Sequence, residues 1–442
     1  MNLRGKKTLV VGMKRSGVAS AKLLLREGAD VRATDLKPLS ALPEAASLGI
    51  PFAQQTPEVF RGCDLIVLSP DVPADLPALD EARASGALVI GEVELAAPFL
   101  RGKTIGVTGS NGKTTTTSLI GHILRESGVP VQVGGNIGVP VTAMIDAARE
   151  DGWNVLELSS FQLETITHFR AHIALALNVT QNHLDRHHTF ERYAAAKGRI
   201  FETQQAGDYA VLNAEDPVCV GYARYAVGAV QWFSSRRRVE PGAHLCGDKL
   251  VLDAGLLMTA GEIPIRGRHN VENVLAASIA AARAGASHEK IAAAVRTFRA
   301  VEHRLEFVRS LEGIDFYNDS KATSVDASLK ALDAFPGGLW VILGGKDKGL
   351  DYTALREPLA AKARGVLLIG AAAGKIAEQI RGAAPVVDVH TLDAAVAHAY
   401  AHAAAGDTVL LAPACASFDQ FKSFEHRGET FKQIVNQLTP RK

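Results

Sequence analysis

Thr104-Ile-Gly-Val-Thr-Gly-Ser-Asn-Gly-Lys-Thr-Thr-Thr-Thr-Ser-Leu-Ile-Gly-His-Ile-Leu124 decides how the rest of the chain is read. A short apolar strand around Ile105 and Val107 runs into a glycine-rich turn. The turn opens a helix whose apolar face carries Leu119, Ile120, Ile123 and Leu124. Backbone N–H groups of such a turn, with the helix N-terminus behind them, form a cradle for anions. Lys113 is placed to reach the β- and γ-phosphates of a nucleotide, and the hydroxyl of Thr114 or Thr115 to ligate Mg2+. Val107 stands where a P-loop carries its first glycine, so the usable motif is Gly109-Ser110-Asn111-Gly112-Lys113-Thr114-Thr115. Strand, turn, lysine, hydroxyl and helix arrive in the order that phosphate binding requires. An ATP site is expected.

Upstream, residues 8–11 read as a buried strand, 12–17 as a turn and 18–27 as an amphipathic helix stopped by Gly28. Residues 30–34 form a second strand ending at Asp35. This is half of a doubly wound fold. A dinucleotide fingerprint needs a second glycine so that the backbone can approach a pyrophosphate, and Lys14 occupies that place. A dinucleotide is therefore disfavoured, whereas Lys14, Arg15, Ser16 and the helix start still suit a diphosphate or a uracil ring. The turn 68–73, containing Ser69, follows the strand 64–68 at a place where open α/β sheets bind ligands. It reads equally well as a plain Pro-rich loop.

Downstream, the tight turn 134–138 presents Asn136. Residues 155–163 read as a strand with Glu157 near its C-terminal end, 173–178 as a strand leading to His183, and 193–197 as helix carrying Lys197. Glu157 and His183 together supply a carboxylate and an imidazole for the divalent ions that escort ATP, the carboxylate being the better ligand for magnesium. Taken singly, each reads as surface or loop decoration, as do His187 and His188. Residues 208–265 contain short strands without recognisable chemistry. The helix 266–283 carries Asn270 and Asn273, either of which could meet an adenine edge, while Asn270 could equally be a helix cap.

The last third alternates strands (315–318, 339–343, 365–369, 407–411) with alanine-rich helices, a second doubly wound pattern. Polar loops follow three of these strands, at 318–324, 344–348 and 413–421. The expected architecture is α/β with three domains: Rossmann-like over 1–95, P-loop over 96–300 and Rossmann-like over 301–442.

At 442 residues the chain exceeds one hydrophobic core, and 47% hydrophobic with 21% charged residues is ordinary for a globular protein. A net charge of +1 offers no electrostatic footprint for nucleic acid or an anionic membrane. Cys63, Cys219, Cys246 and Cys415 are widely spaced, which fits a reducing compartment and neither a disulfide framework nor a zinc site. There is no signal-peptide h-region and no apolar run of about 18 residues. A cytoplasmic enzyme is expected.

Gly109–Thr115, Gly135-Asn-Ile-Gly138, Glu157-Leu-Ser-Ser160, Asn182-His-Leu-Asp185, the Lys197 helix, the Asn270/Asn273 helix and His303-Arg304 together resemble the ATP-dependent Mur ligases over essentially the whole chain. Asn318-Asp-Ser-Lys-Ala-Thr323 and Ala416-Ser-Phe-Asp-Gln-Phe421-Lys-Ser-Phe424 are similar to the branch that adds D-glutamate. The chain departs from the usual pattern at Ser324, Asp71, Lys37 and Lys14-Arg15.

The resemblance implies ATP-driven amide formation between UDP-MurNAc-L-Ala and D-glutamate through an acyl phosphate, by a monomer with no nucleic-acid or membrane partner. It implies two Mg2+ ions held by Thr114, Glu157, His183 and a carbamylated Lys197, with Lys113, His183 and Lys197 carrying the catalysis. Asn273, Arg304 and Asp319 are matched to adenosine. Ser16, Lys37, Ser69, Asn136, Ser159 and Gln162 are matched to the UDP-muramoyl substrate, and Thr323, Lys348, Ser417 and Phe424 to D-glutamate. A nicotinamide dehydrogenase leaves the P-loop without a role. A motor or switch ATPase leaves the flanking domains unexplained, and folylpolyglutamate synthases generally lack the N-terminal domain.

Overall fold

Leu65–Leu68 is apolar at every position and buried at every position, as a parallel strand covered on both faces must be. Runs of this kind set the frame of the chain. The computed structural model describes residues 1–299 and 301–441, and among them the chain forms three sheets of five, nine and six strands.

The first sheet holds β1 (Lys7–Val11), β2 (Asp30–Asp35), β3 (Phe52–Gln54), β4 (Leu65–Leu68) and β5 (Leu88–Gly91), all parallel, in the order β3-β2-β1-β4-β5. The second holds β6 (Lys103–Thr108), β7 (Val131–Gly135), β8 (Trp153–Glu157), β9 (Ile173–Ala176), β10 (Tyr209–Asn213) and β11 (Ala229–Ser234). A further β12 (Gly242–Cys246), β13 (Lys249–Leu252) and β14 (Gly255–Thr259) extend it as an antiparallel meander. Its order is β14-β13-β12-β11-β10-β9-β6-β8-β7. The third holds β15 (Glu306–Leu311), β16 (Ile314–Asn318), β17 (Leu339–Gly344), β18 (Ala363–Ile369), β19 (Val386–His390) and β20 (Thr408–Leu411), ordered β15-β16-β20-β17-β18-β19.

Contacts divide the chain into two compact units, residues 1–260 with 272–295, and residues 261–271 with 296–442. In the first unit, one apolar core runs from Val10, Leu24 and Val67 through Ile90 and Val141 to Leu156 and Leu212, joining the first two sheets. In the second, separate cores cover the two faces of the third sheet, one around Leu343, Tyr352 and Leu368 and the other around Phe316, Ile342 and Phe431.

In each sheet the strand order reverses beside a central strand, and the loops leaving that point lie side by side. They are the loops after β1 and β4, after β6, β8 and β9, and after β16, β20 and β17. Open α/β sheets place ligands at such points.

Three sequence expectations need correction. The first helix spans Arg15–Arg26, starting earlier than residue 18, because Arg15, Ser16 and Gly17 supply no large apolar side chain to mark its start. The stretch 155–163 is not one strand: β8 ends at Glu157, and the Ser159/Gln162 capping box then opens a helix over Ser160–Leu163. The third sheet carries edge strands β15 and β19 that were not anticipated. Their half-exposed, polar-interrupted sequences lack the buried run that marks a central strand.

Candidate active site

The loop between β6 and the helix Lys113–Glu126 is shaped by two glycines. Gly112 caps the helix in the left-handed region at φ 84°, and a Cβ there would lie 2.4 Å from Asn273 Oδ1. A Cβ on Gly109, at φ 151°, would press on Leu177 at 3.1 Å. Asn178, two residues past the end of β9, clamps the loop from both sides: its Oδ1 accepts from Asn111 N at 2.9 Å and its Nδ2 donates to Asn111 O at 3.1 Å. Ser110 Oγ meets Tyr193 Oη at 2.9 Å and donates to Thr180 O at 3.0 Å. Thr114 and Thr115 are buried in the first helical turn, and Thr116 Oγ1 donates to Asn273 Oδ1 at 3.2 Å. Asn273 therefore stands against the phosphate loop itself.

Lys113 Nζ donates to Gly109 O at 2.8 Å and to Ser110 O at 3.1 Å. Lys197, on the helix Phe190–Gly198, is almost wholly buried and donates to the same Gly109 carbonyl at 2.9 Å, with its ammonium 4.7 Å from the Tyr193 ring centroid. Burial drives its pKa well below the usual lysine value, the Lys113 charge adds to that, and Glu157 only partly opposes it.

Glu157 closes β8, buried, with Oε1 accepting from Asn136 Nδ2 at 2.9 Å. Its Oε2 is buried without a hydrogen-bond partner. An orphaned carboxylate oxygen of this kind, at the end of a strand paired with β6, is the donor a hard divalent cation needs, so Glu157 together with Thr114 fits Mg2+. His183 is exposed at φ 53°, edge-on to Phe161 with ring centroids 5.0 Å apart.

Ser16, Lys37, Ser69, Asn136 and Gln162 all line one cavity of about 860 Å³ in the first unit, between the loops after β1, β2 and β4 and the turn after β7. Gly17 makes the first of these turns possible, since a Cβ there would fall 1.9 Å from Gly12 O. Asp35 ties it down, accepting from Met13 N at 2.6 Å and Lys37 N at 2.9 Å. Ser69 Oγ donates to Gly12 O at 2.6 Å. Lys14 and Asp71, both departures from the usual pattern, pair with each other at 2.8 Å on the cavity wall. Arg15 reaches Gly138 O at 2.6 Å. Ser159 is outside this lining and is engaged as a helix cap instead.

The second unit brings together the loops after β16, β17 and β20. Lys348 Nζ donates to Thr323 O at 3.2 Å, Ser417 is buried, and Phe424 opens the helix Phe424–Gln437. Arg304 and Asp319 also lie here. Burial pushes the Asp319 pKa up to about 6 against the pull of Arg304, while Arg304 Nε is buried without a partner. Ser324 caps the helix Val325–Asp333 through Ala327 N at 3.4 Å. Glu302, His303 and Glu429 hold their donor atoms within 4.8 Å of one another, yet Lys432 already sits on Glu302 and Glu429 at 3.3 and 2.8 Å. That cluster has its cation.

Sequence reasoning missed Asn178, Asp35 and a buried relay in which His187 joins Ser160 Oγ at 2.9 Å to Glu164 Oε1 at 3.1 Å. An amide just past an apolar strand, opposite a P-loop, was the available signal for Asn178. Asn270 is not a helix cap: it lies inside the helix Arg268–Arg283 and donates to Arg266 O at 2.6 Å.

A phosphate-binding type of loop, a buried unpartnered carboxylate oxygen and a separate large cavity fit a nucleotide-dependent enzyme, and comparison with known families assigns the class. Residues 6–91 match the Mur ligase MurD-like N-terminal domain, 107–281 the Mur ligase middle domain, and 303–415 the Mur ligase glutamate ligase domain. The chain belongs to the Mur ligase family. More particularly, it is 79% identical over 441 residues, covering 100% of both chains, to a UDP-N-acetylmuramoylalanine–D-glutamate ligase of Solibacter usitatus. It is 52% identical to the protein of the same name in Acidobacterium capsulatum, covering 98% of this chain and 97% of the relative. The fold is shared with UDP-N-acetylmuramate–alanine ligase of Thermotoga maritima, at a TM-score of 0.62 and 18% identity over 98% of this chain and 99% of that one.

Proposed function

We propose that this chain uses ATP to join the L-alanine carboxylate of UDP-MurNAc-L-Ala to the amine of D-glutamate, a C–N ligation in peptidoglycan precursor synthesis. One observation carries the reading: a P-loop whose Lys113 converges with a buried lysine on Gly109 O, in a chain that aligns end to end with relatives named for this reaction.

A carboxylate is a poor electrophile because oxide cannot leave. Attack of the substrate carboxylate oxygen on the γ-phosphorus of ATP, with cleavage of the bond to ADP, gives an acyl phosphate whose leaving group is phosphate. The D-glutamate amine then attacks the acyl carbon, loses a proton, and the tetrahedral intermediate expels phosphate to leave the amide. Such phosphoryl transfer needs positioning and charge neutralisation more than covalent help.

Lys113 and the loop N–H groups take the charge that builds on the transferring phosphoryl. Thr114 and Glu157 would hold one Mg2+, and His183 with Lys197 as its carbamate a second; bound there, the ions neutralise phosphate charge and orient carboxylate oxygens. The cavity of about 860 Å³ takes the UDP-muramoyl group, with Ser16, Lys37, Ser69, Asn136 and Gln162 on its wall and Ser159 at its border. Asn273, Arg304 and Asp319 serve adenosine, and Thr323, Lys348, Ser417 and Phe424 serve D-glutamate. The division of labour follows 1–95 for the nucleotide-sugar substrate, 96–300 for ATP and 301–442 for the amino acid, in a cytoplasmic monomer.

The test is a product assay. With ATP, Mg2+, UDP-MurNAc-L-Ala and D-glutamate, mass spectrometry should find the condensed dipeptidyl nucleotide together with ADP and phosphate. ADP formation without that product would contradict the assignment.

A further inference from the structure

Arg427 is the largest side chain among the described residues that solvent does not reach. It lies in the first turn of the helix Phe424–Gln437, and its guanidinium points under three loops. Nε donates to Ser320 Oγ at 3.0 Å, Nη2 to Ser320 O at 2.9 Å and Cys415 O at 3.1 Å, and Nη1 to Ala416 O at 3.5 Å. Gly345 gives it room, since a Cβ there would lie 3.1 Å from Nη1. Ser320 follows β16, Gly345 follows β17, and Cys415 and Ala416 follow β20.

Every acceptor of this cation is neutral. Among the described residues no carboxylate lies within ion-pair distance of Arg427, although buried charges are ordinarily paired. Burial lowers its pKa only to about 10, so it remains charged at neutral pH. Asp419 acts on it only through space, and a fully buried cation without a contacting counter-ion projects its field through low-dielectric surroundings onto whatever anion docks above.

The groups above it are specific. Ser320 Oγ, which accepts from Arg427, donates in turn to Phe424 O at 2.8 Å. Ala416, whose carbonyl Arg427 holds, also accepts from Lys346 N at 2.8 Å and is followed by the buried Ser417. Thr323, three residues beyond Ser320, accepts from Lys348. One guanidinium therefore fixes the spacing of the loops that carry Thr323, Lys348, Ser417 and Phe424.

We propose that Arg427 is a positioning residue for the incoming amino acid, locking the three loops into one surface and supplying a buried positive charge beneath the two carboxylates of D-glutamate. This rests on the reading above that these loops form the D-glutamate site. Arg427 does not touch the substrate. It acts through the loops and through its field, so both its geometry and its charge are separable by substitution.

The test compares Arg427→Gln, Arg427→Lys and Ser320→Ala with Lys348→Ala in the full-length enzyme. Removing the charge in Arg427→Gln should raise the D-glutamate KM about tenfold or more, while the KM for ATP and for UDP-MurNAc-L-Ala stay within about twofold. Arg427→Lys should recover much of that loss. Ser320→Ala, which breaks the link to Phe424, should raise the D-glutamate KM about threefold and keeps the test decisive if Arg427→Gln does not fold. Equal losses in the Gln and Lys variants, a rise in all three KM values together, or an unchanged D-glutamate KM in Ser320→Ala overturns the proposal. If Lys348→Ala raises the D-glutamate KM and the Arg427 variants do not, the loops remain the site and only the role of Arg427 is wrong. If none of them moves it, the site itself is misassigned.

Discussion

Lys113 and Lys197 direct their ammonium groups at the same oxygen, the carbonyl of Gly109, at 2.8 and 2.9 Å. Two cations on one acceptor repel, and the conflict falls on the lysine that water cannot reach. Burial first, and Lys113 second, lower the Lys197 pKa, which favours the neutral amine, the form that adds CO2 with loss of a proton to give a carbamate.

Lys197 is accordingly expected to carry a carbamate in the working enzyme. Carbon-13 NMR with labelled bicarbonate should show a carbamate resonance that Lys197→Ala lacks, and that variant should be nearly inactive and partly restored by short carboxylates. A fully active, metal-loaded enzyme with unmodified Lys197 would refute this.

Glu92 gives the fold a pH dependence of its own. Its Oε1 accepts from Thr142 N at 2.7 Å and Thr142 Oγ1 at 3.1 Å, and its Oε2 is buried without a partner. Burial raises its pKa from 4.5 to about 7, outweighing the Thr142 hydrogen bonds. A carboxyl with a raised folded-state pKa stabilises fully below its unfolded pKa, and that stability is lost as pH rises through the folded value. Between pH 4.5 and about 7 the native protein should lose about 3 kcal/mol through this group. Urea unfolding across that window should show a correspondingly flatter profile for Glu92→Gln. Parallel profiles for the two proteins would exclude Glu92 as the titrating group.

The phosphate loop and the strand end that carries Glu157 were legible because each is local. A strand, Gly109, Gly112, Lys113 and Thr114 are contiguous, and Glu157 could be placed at a strand end without knowing the sheet order. What stayed hidden depends on partners distant in sequence. Asn178 is 67 residues from the loop it clamps, and Arg427 is 107 residues from Ser320. Edge strands β15 and β19 hid because they need no apolar run, and the helix over Ser160–Leu163 hid because it is too short to show a period. Lys14 was read as keeping a dinucleotide off the backbone, and its partner Asp71 emerged only from the fold.

Lys14 and Asp71 form an ion pair of 2.8 Å with side chains 65% and 73% exposed, so the pair should contribute less than about 1 kcal/mol to stability. Its consequence lies in binding, because Asp71 places a negative charge on the wall of a cavity assigned to an anionic nucleotide. Lys14→Ala should raise the KM for UDP-MurNAc-L-Ala and leave that for D-glutamate unchanged, with Asp71→Asn moving it the opposite way. Steady-state kinetics in which both variants match the native enzyme would remove the pair from substrate binding.

Lys348 is exposed and bound to Thr323 O, on a loop after a parallel strand. A hydrogen bond from a charged group is worth roughly 1.5–3 kcal/mol, so Lys348→Ala should weaken D-glutamate by about ten- to a hundredfold. Acyl phosphate should still form and be trapped by a reducing agent, because that half-reaction is proposed to use Lys113 and Glu157. A variant that alters only the KM for ATP would show that this loop serves the nucleotide.

The choice of amino acid tests the whole assignment most directly. Phosphate release from ATP, followed in the presence of UDP-MurNAc-L-Ala and one amino acid at a time, should rise steeply with D-glutamate. It should stay near background with L-glutamate, L-alanine, meso-diaminopimelate or none. Equal or greater release with any of those others would contradict D-glutamate as the nucleophile.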